Sequence, residues 1–229
     1  MKFFPVMPLI FIAAYTFVGI SIFFNTPRLA LTGLAVFAIF LLIVAVFYGG
    51  ELVWRERDVK FNEIIDSTPT PNWVMTIPKI LAIFSVLLIM NLAAMATGLF
   101  YQLVKGVESF GIGSYFGWFI IPMTIDMLLI AVLAVFAQVV SPNKYVGWGI
   151  VLVWFVGSIF LRNMGYENAL YRYGSTLGEP LSDMNGTGGF WVGAAWLRAY
   201  WLAFALLLLV VAHLLWPRGT NVALRPRFA

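Results

Sequence analysis

A chain of 229 residues with a net charge of +4, 62% hydrophobic and only 10% charged, with a mean hydropathy of +0.94, is too poor in charge for an ordinary soluble domain, in which about a quarter of residues are charged. Cysteine is absent, which excludes disulfides and thiolate metal sites, and the basic residues form no stripe interleaved with aromatics of the kind that lines a nucleic-acid groove. The composition is that of an all-α, polytopic membrane protein.

Six stretches reach the roughly 20 mostly apolar residues that a spanning helix needs: 5–24, 29–50, 74–101, 115–140, 145–161 and 194–216. The first follows Lys2 and ends Ser21-Ile-Phe-Phe-Asn25, without a small-x-small cleavage pattern, so it reads as a retained span rather than a signal peptide. The third and fourth are long enough to tilt. The fifth is the shortest, with 17 uncharged residues between Lys144 and Arg162.

Between the second and third stretches the apolar text stops, and residues 51–66 hold eight of the 24 charged side chains. Glu51 with Arg55 and Glu56 with Lys60 are i,i+4 pairs in the favourable order. Trp54, Phe61, Ile64 and Ile65 share one side of a helical wheel. The pattern predicts one amphipathic helix over 51–66 lying on the membrane surface, ended by Pro69 and Pro71, with Asn72 placed to cap what starts at Trp73. Such a helix is either an interfacial loop or a docking element for a soluble partner.

Within the spans, Asp126 is the costliest residue, since a carboxylate near the bilayer centre is penalised by about 2.5–3.5 kcal/mol on insertion scales. It is read either as part of a substrate or proton path or as a structural acid satisfied by Asn91 or another polar group. Pro78, Pro122 and Pro142 mark kinks or helix ends, and Pro122 lies four residues before Asp126. From Arg162 to Trp191 the chain mixes interfacial aromatics with turn-forming glycines, including Tyr171, Arg172, Tyr173, Asp183 and Asn185. This 162–193 loop is either re-entrant and gating or merely membrane-hugging, and Asn185-Gly-Thr187 is a weak glycosylation match. The lone His213 reads as interfacial, Ser158 lacks both a base and a nucleophile elbow, and no phosphate-loop motif occurs. The chain is therefore expected to be neither an enzyme nor its own ATPase, and to need no cofactor or metal.

Six spans place both termini on one side. With the termini inside, that side collects nine basic residues (Lys2, Arg55, Arg57, Lys60, Lys79, Lys144, Arg218, Arg225 and Arg227) against five outside (Arg28, Lys105, Arg162, Arg172 and Arg198), which predicts cytoplasmic termini, a cytoplasmic 51–66 helix and an outward loop.

The segments Gly50-Glu-Leu-Val-Trp-Arg-Glu-Arg-Asp58, Glu63-Ile-Ile-Asp66, Thr70-Pro-Asn-Trp73, Leu170-Tyr-Arg-Tyr-Gly-Ser-Thr176 and Ser182-Asp-Met-Asn-Gly186 together resemble the membrane part of bacterial ABC-2 type exporter permeases, particularly those fused to a zinc aminopeptidase domain. The resemblance covers nearly the whole chain and is most specific in the charged helix and outer loop. It implies a single permease domain in the bacterial inner membrane, paired with a second six-span half as a homodimer or heterodimer and driven by a separate ABC ATPase. It further implies that Glu51, Trp54, Arg55, Arg57, Asp58, Glu63 and Asp66 form the ATPase-coupling helix, and that 162–193 carries short re-entrant elements of an outer gate. The apolar run begins directly after Lys2, where such permeases usually carry an amphipathic helix, and no peptidase domain follows Arg227, so peptidase activity is not carried over. The chain reads as a fragment, a split half or a stand-alone subunit. The rival readings are an ion-coupled transporter using Asp126 and a non-transporting scaffold that recruits a partner through 51–66.

Overall fold

The computed structural model describes residues 27–67, 71–104, 113, 116–166, 168–176 and 189–216. Every regular element among them is helical: α1 (Pro27–Asp58), the short α2 (Asn62–Asp66), α3 (Trp73–Val104), a π-helical turn (Phe116–Ile120) running into α4 (Ile121–Val140), α5 (Lys144–Asn163), a 3₁₀ turn (Ala169–Tyr171) and α6 (Phe190–Leu214). Four are long and apolar enough to cross a membrane: α3 over Trp73–Ala96, α4, α5 and α6. They correspond to the third to sixth predicted spans. The second falls within α1, and the first, at 5–24, lies outside the described residues.

The helix boundaries follow local chemistry. Pro122 sits where the π turn becomes α4, and Pro142 lies in the turn between α4 and α5, so both occupy helix ends; Pro78 instead falls inside α3, near its start. Asn143 caps α5, its side chain accepting from the Val146 amide at 2.9 Å. At the far end of α5, Tyr166 N–H bonds to Leu161 O and Gly165 N–H to Arg162 O, with Gly165 at φ +88°. That pairing is a Schellman termination with glycine in its left-handed position.

The same motif corrects the prediction of a single helix over 51–66. α1 continues without interruption from the apolar stretch through Asp58, because nothing in Glu51–Asp58 breaks a helix. It then ends in a second Schellman turn, with Phe61 N–H bonded to Glu56 O at 2.8 Å and Lys60 N–H to Arg57 O at 3.0 Å. Lys60 takes the left-handed position at φ +56°. Helix α2 is thus a separate five-residue piece, and Trp54 does not share a face with Phe61 and Ile64: Trp54 is buried while those two are exposed.

By contacts the chain divides into two compact units, one within Met1–Val44 and Ser85–Thr124, the other within Ala45–Phe84 and Ile125–Ala229. In the second unit α4 is the axis, burying Met127, Leu129, Ala131, Val132, Ala134, Val135, Ala137, Gln138 and Val139. Its alanines admit close approach: a Cβ on Gly49 of α1 would lie 3.1 Å from that of Ala134. Helix α5 is the least buried of the four spans, and its exposed Leu152, Val153, Val156 and Phe160 form the apolar surface expected against lipid.

Candidate functional site

The second unit carries two polar clusters at opposite ends of α4, twelve residues or about 18 Å apart along the helix.

The first gathers around the charged end of α1. Glu51, Trp54 and Asp58 follow an i, i+3, i+7 spacing and so share one face, which meets α4 and α5. Trp54 Nε1 donates to Oε1 of the buried Gln138 at 2.9 Å. Lys144, the first residue of α5, holds Asp58 at 3.0 Å and Glu51 at 3.4 Å. Glu56 points elsewhere, accepting from Lys79 of α3 at 2.7 Å, and that buried ammonium also lies 5.2 Å from the centre of the Trp216 ring, just beyond α6. Asn72, predicted as a cap, accepts through its carbonyl oxygen from the Met75 and Thr76 amides, while its carboxamide donates to His213 O at 2.9 Å. The expected i,i+4 pairs of Glu51 with Arg55 and Glu56 with Lys60 are replaced by these longer-range ones. Glu56 turns to the buried Lys79 of α3, whereas Glu51 and Asp58 reach Lys144 of α5 while staying exposed, and the turn at Lys60 takes that residue off the helical line.

What remains outward is a tip. Arg55, Lys60 and Glu63 are exposed, as are Val59, Phe61 and Ile64. Arg57 is half-buried and lies 5.8 Å over the Trp54 ring. Beside the tip, Val53, Trp54, Glu56, Arg57, Asn62, Ile65, Met75 and Trp216 line a cleft of about 20 Å³, room for a water rather than a substrate. The predicted coupling residues therefore divide. Glu51, Trp54 and Asp58 brace the helix, Arg55 and Glu63 face out, and Asp66 closes α2.

The second cluster joins α4, α6 and the loop between α5 and α6. Arg198 Nε donates to Asp126 Oδ1 at 3.2 Å, so Asp126 is satisfied at least in part by an arginine of α6. Asn91 is fully buried, and among the described residues its carboxamide has no hydrogen-bond partner. One turn deeper along α4, Tyr173 OH donates to Leu129 O at 3.0 Å, and one turn along α6 from Arg198, Trp201 Nε1 donates to Ser175 O at 3.0 Å. The Tyr173 ring packs at 5.4 to 6.3 Å against Trp201, Phe204 and Trp154. Segment 168–176 is thereby folded onto the helices. Tyr171 stays exposed against Tyr166, and Arg172 is half-buried. Asp183 and Asn185 lie outside the described residues. Ser158 Oγ is engaged with Trp154 O, one turn back on its own helix.

Burial pushes the Tyr173 hydroxyl well above its ordinary value. For a group raised in the folded state, the stability it contributes is complete below the ordinary tyrosine value of about 10 and is lost as pH climbs from there towards the folded value. Tyr173→Phe is accordingly expected to cost about 0.5–1.5 kcal/mol at neutral pH through the lost hydrogen bond, and to remove one late-titrating phenol from an alkaline absorbance titration. If every tyrosine of the wild type titrated together near pH 10, the packing described for Tyr173 would be wrong.

Lys79, Gln138, Lys144 and Arg198 were not legible as partners from sequence. A usable signal existed for Arg198, since it falls inside an apolar stretch as Asp126 does, and two opposite charges inside spans invite pairing. Lys79, inside the 74–101 stretch, and Lys144, just ahead of the fifth, count in the sequence only as basic residues of the expected inner side. Gln138 carried no signal, because a glutamine near the end of a span is unremarkable until its neighbours are known.

No protein family, curated protein or solved structure matches this chain.

Proposed function

We propose that this protein is the membrane subunit of an ATP-driven ABC exporter, anchored in a bacterial inner membrane with cytoplasmic termini, pairing with a second six-span half and taking its energy from a separate ABC ATPase that docks on the tip of α1. One observation carries the proposal. The end of α1 is fixed from inside through Trp54 and Glu56 and at its surface through Glu51 and Asp58, while a patch of mixed charge and exposed apolar groups, Arg55, Val59, Lys60, Phe61, Glu63 and Ile64, is left without such a tie to the other described helices. A lever that transmits force from a partner needs such a braced base and a free contact surface. Lys60 adds to this, because a lysine in the left-handed region carries about 1–2 kcal/mol of strain, and strain of that kind collects at functional sites. The resemblance to ABC-2 permeases in Gly50–Asp58 and Glu63–Asp66 supports the same reading.

The test is affinity purification in mild detergent with an ATPase assay on what is recovered. The paired change Arg55→Glu with Lys60→Glu is expected to cut recovery of a P-loop ATPase by about tenfold or more, since it inverts two rim charges, while leaving thermal stability within about 0.5 kcal/mol, as surface changes do. Recovery equal to wild type would move the contact elsewhere. Asp58→Lys is the less selective variant, because it also faces Lys144 with a like charge.

A further inference from the structure

The bonds around Gln138 close into a ring. Trp54 of α1 donates to its Oε1, its Nε2 reaches the Lys144 carbonyl of α5 at 3.4 Å, and the Lys144 ammonium returns to α1 through Glu51 and Asp58. Gln138 is 1% exposed, and its carboxamide occupies a slot left by two glycines. A Cβ on Gly147 would collide with Gln138 Oε1, and one on Gly50 would collide with the Trp148 indole and come within 3.1 Å of Gln138 Nε2. Three helices therefore meet on one side chain that can neither slide nor rotate without breaking a bond or meeting backbone.

We propose that Gln138 is a positioning residue that makes the end of α1 and the adjoining turns of α4 and α5 move as one rigid body, so that a displacement at the α1 tip reaches the spans instead of bending the helix locally. This rests on the docking reading for its biological meaning. It makes a separate claim, that Gln138 governs transmission and not attachment. A residue that only filled space would be replaceable by leucine, whose volume is similar. Here leucine removes both bonds and leaves the Trp54 indole N–H facing an apolar side chain.

The experiment uses the full chain in detergent or nanodiscs, as wild type, Gln138→Leu, the milder Trp54→Phe, and the double variant. Hydrogen–deuterium exchange is read over 51–58, and recovery and stimulation of the co-purifying ATPase are read separately. Gln138→Leu is expected to speed exchange over 51–58 by roughly tenfold, to leave ATPase recovery near wild type, and to abolish its stimulation. Trp54→Phe should show the same pattern at smaller size, and the double variant should be no worse than Gln138→Leu, because both changes break one ring. Exchange over 51–58 unchanged in Gln138→Leu would overturn the inference, and so would raised exchange with stimulation intact. If the wild type recovers no ATPase, the docking reading fails, and the exchange data alone then decide whether the ring is rigid.

Discussion

Gly147→Ala is expected to destabilise the protein by about 1–3 kcal/mol, the usual cost of forcing an extra carbon into a packed core, whereas Gly157→Ala on the same helix is expected to be neutral or mildly stabilising. Alanine is a better helix former than glycine by about 0.8–1 kcal/mol, so propensity alone predicts that both changes help. Packing reverses the sign at one position only. A Cβ on Gly157 meets nothing within 4 Å, but one on Gly147 collides with the Gln138 side chain, which is itself pinned by Trp54 and backed by the α1 glycine at position 50. The neighbour that must yield is buried and bonded, not the loose end of a surface chain. At about 2–4 °C per kcal/mol for a chain of this size, the melting temperatures of the two variants should differ by several degrees. Equal melting temperatures would mean that the slot has slack, and would weaken the case for a rigid ring as well.

The contrast between these glycines shows what sequence can and cannot carry. Apolar length was sufficient for α3 to α6, because spans are fixed by a count of hydrophobic residues that needs no knowledge of neighbours. The end of α5 was also legible in principle, since Gly165 occupies the one backbone position that strongly prefers glycine. The end of α1 was not. The same termination is made there by Lys60, a residue that advertises no turn, so the charged block looked like one continuous amphipathic helix. A helix continued through Lys60 puts Trp54 on the same face as Phe61 and Ile64, which hides its inward bond to Gln138. The pairing of acids was hidden for a related reason. Intrahelical spacing proposes Glu51 with Arg55 from the sequence alone, but the observed partners Lys144 and Lys79 are 93 and 23 residues away from their acids, and only the packing of α3 and α5 brings them close.

Asp126 provides the sharpest separation between a pair that holds helices and a carboxylate that moves protons. Its side chain and that of Arg198 keep only 25% and 12% of their exposure, so neutralising one of them leaves the other as a charge in poor solvent. Removing one member of a fully buried pair costs about 3–5 kcal/mol; the residual exposure here lowers the expectation for Asp126→Asn to about 1–3 kcal/mol. The companion Arg198→Gln likewise removes the arginine's counter-charge from the acid. Combining the two removes both charges at once, and the double variant is expected to be more stable than either single one, because uncharged amides are the cheaper occupants of a site with so little exposure. Transport separates the readings further. Under the proposed function, if the pair only ties α4 to α6, ATP-driven flux should fall in each single variant in step with folded yield and return in the double variant. If Asp126 carries protons or a coupling ion, every variant lacking the carboxylate should be inactive, and restoring stability through Arg198→Gln should restore nothing. Measuring folded yield and flux on the same four preparations therefore decides between an architectural ion pair and an ion path.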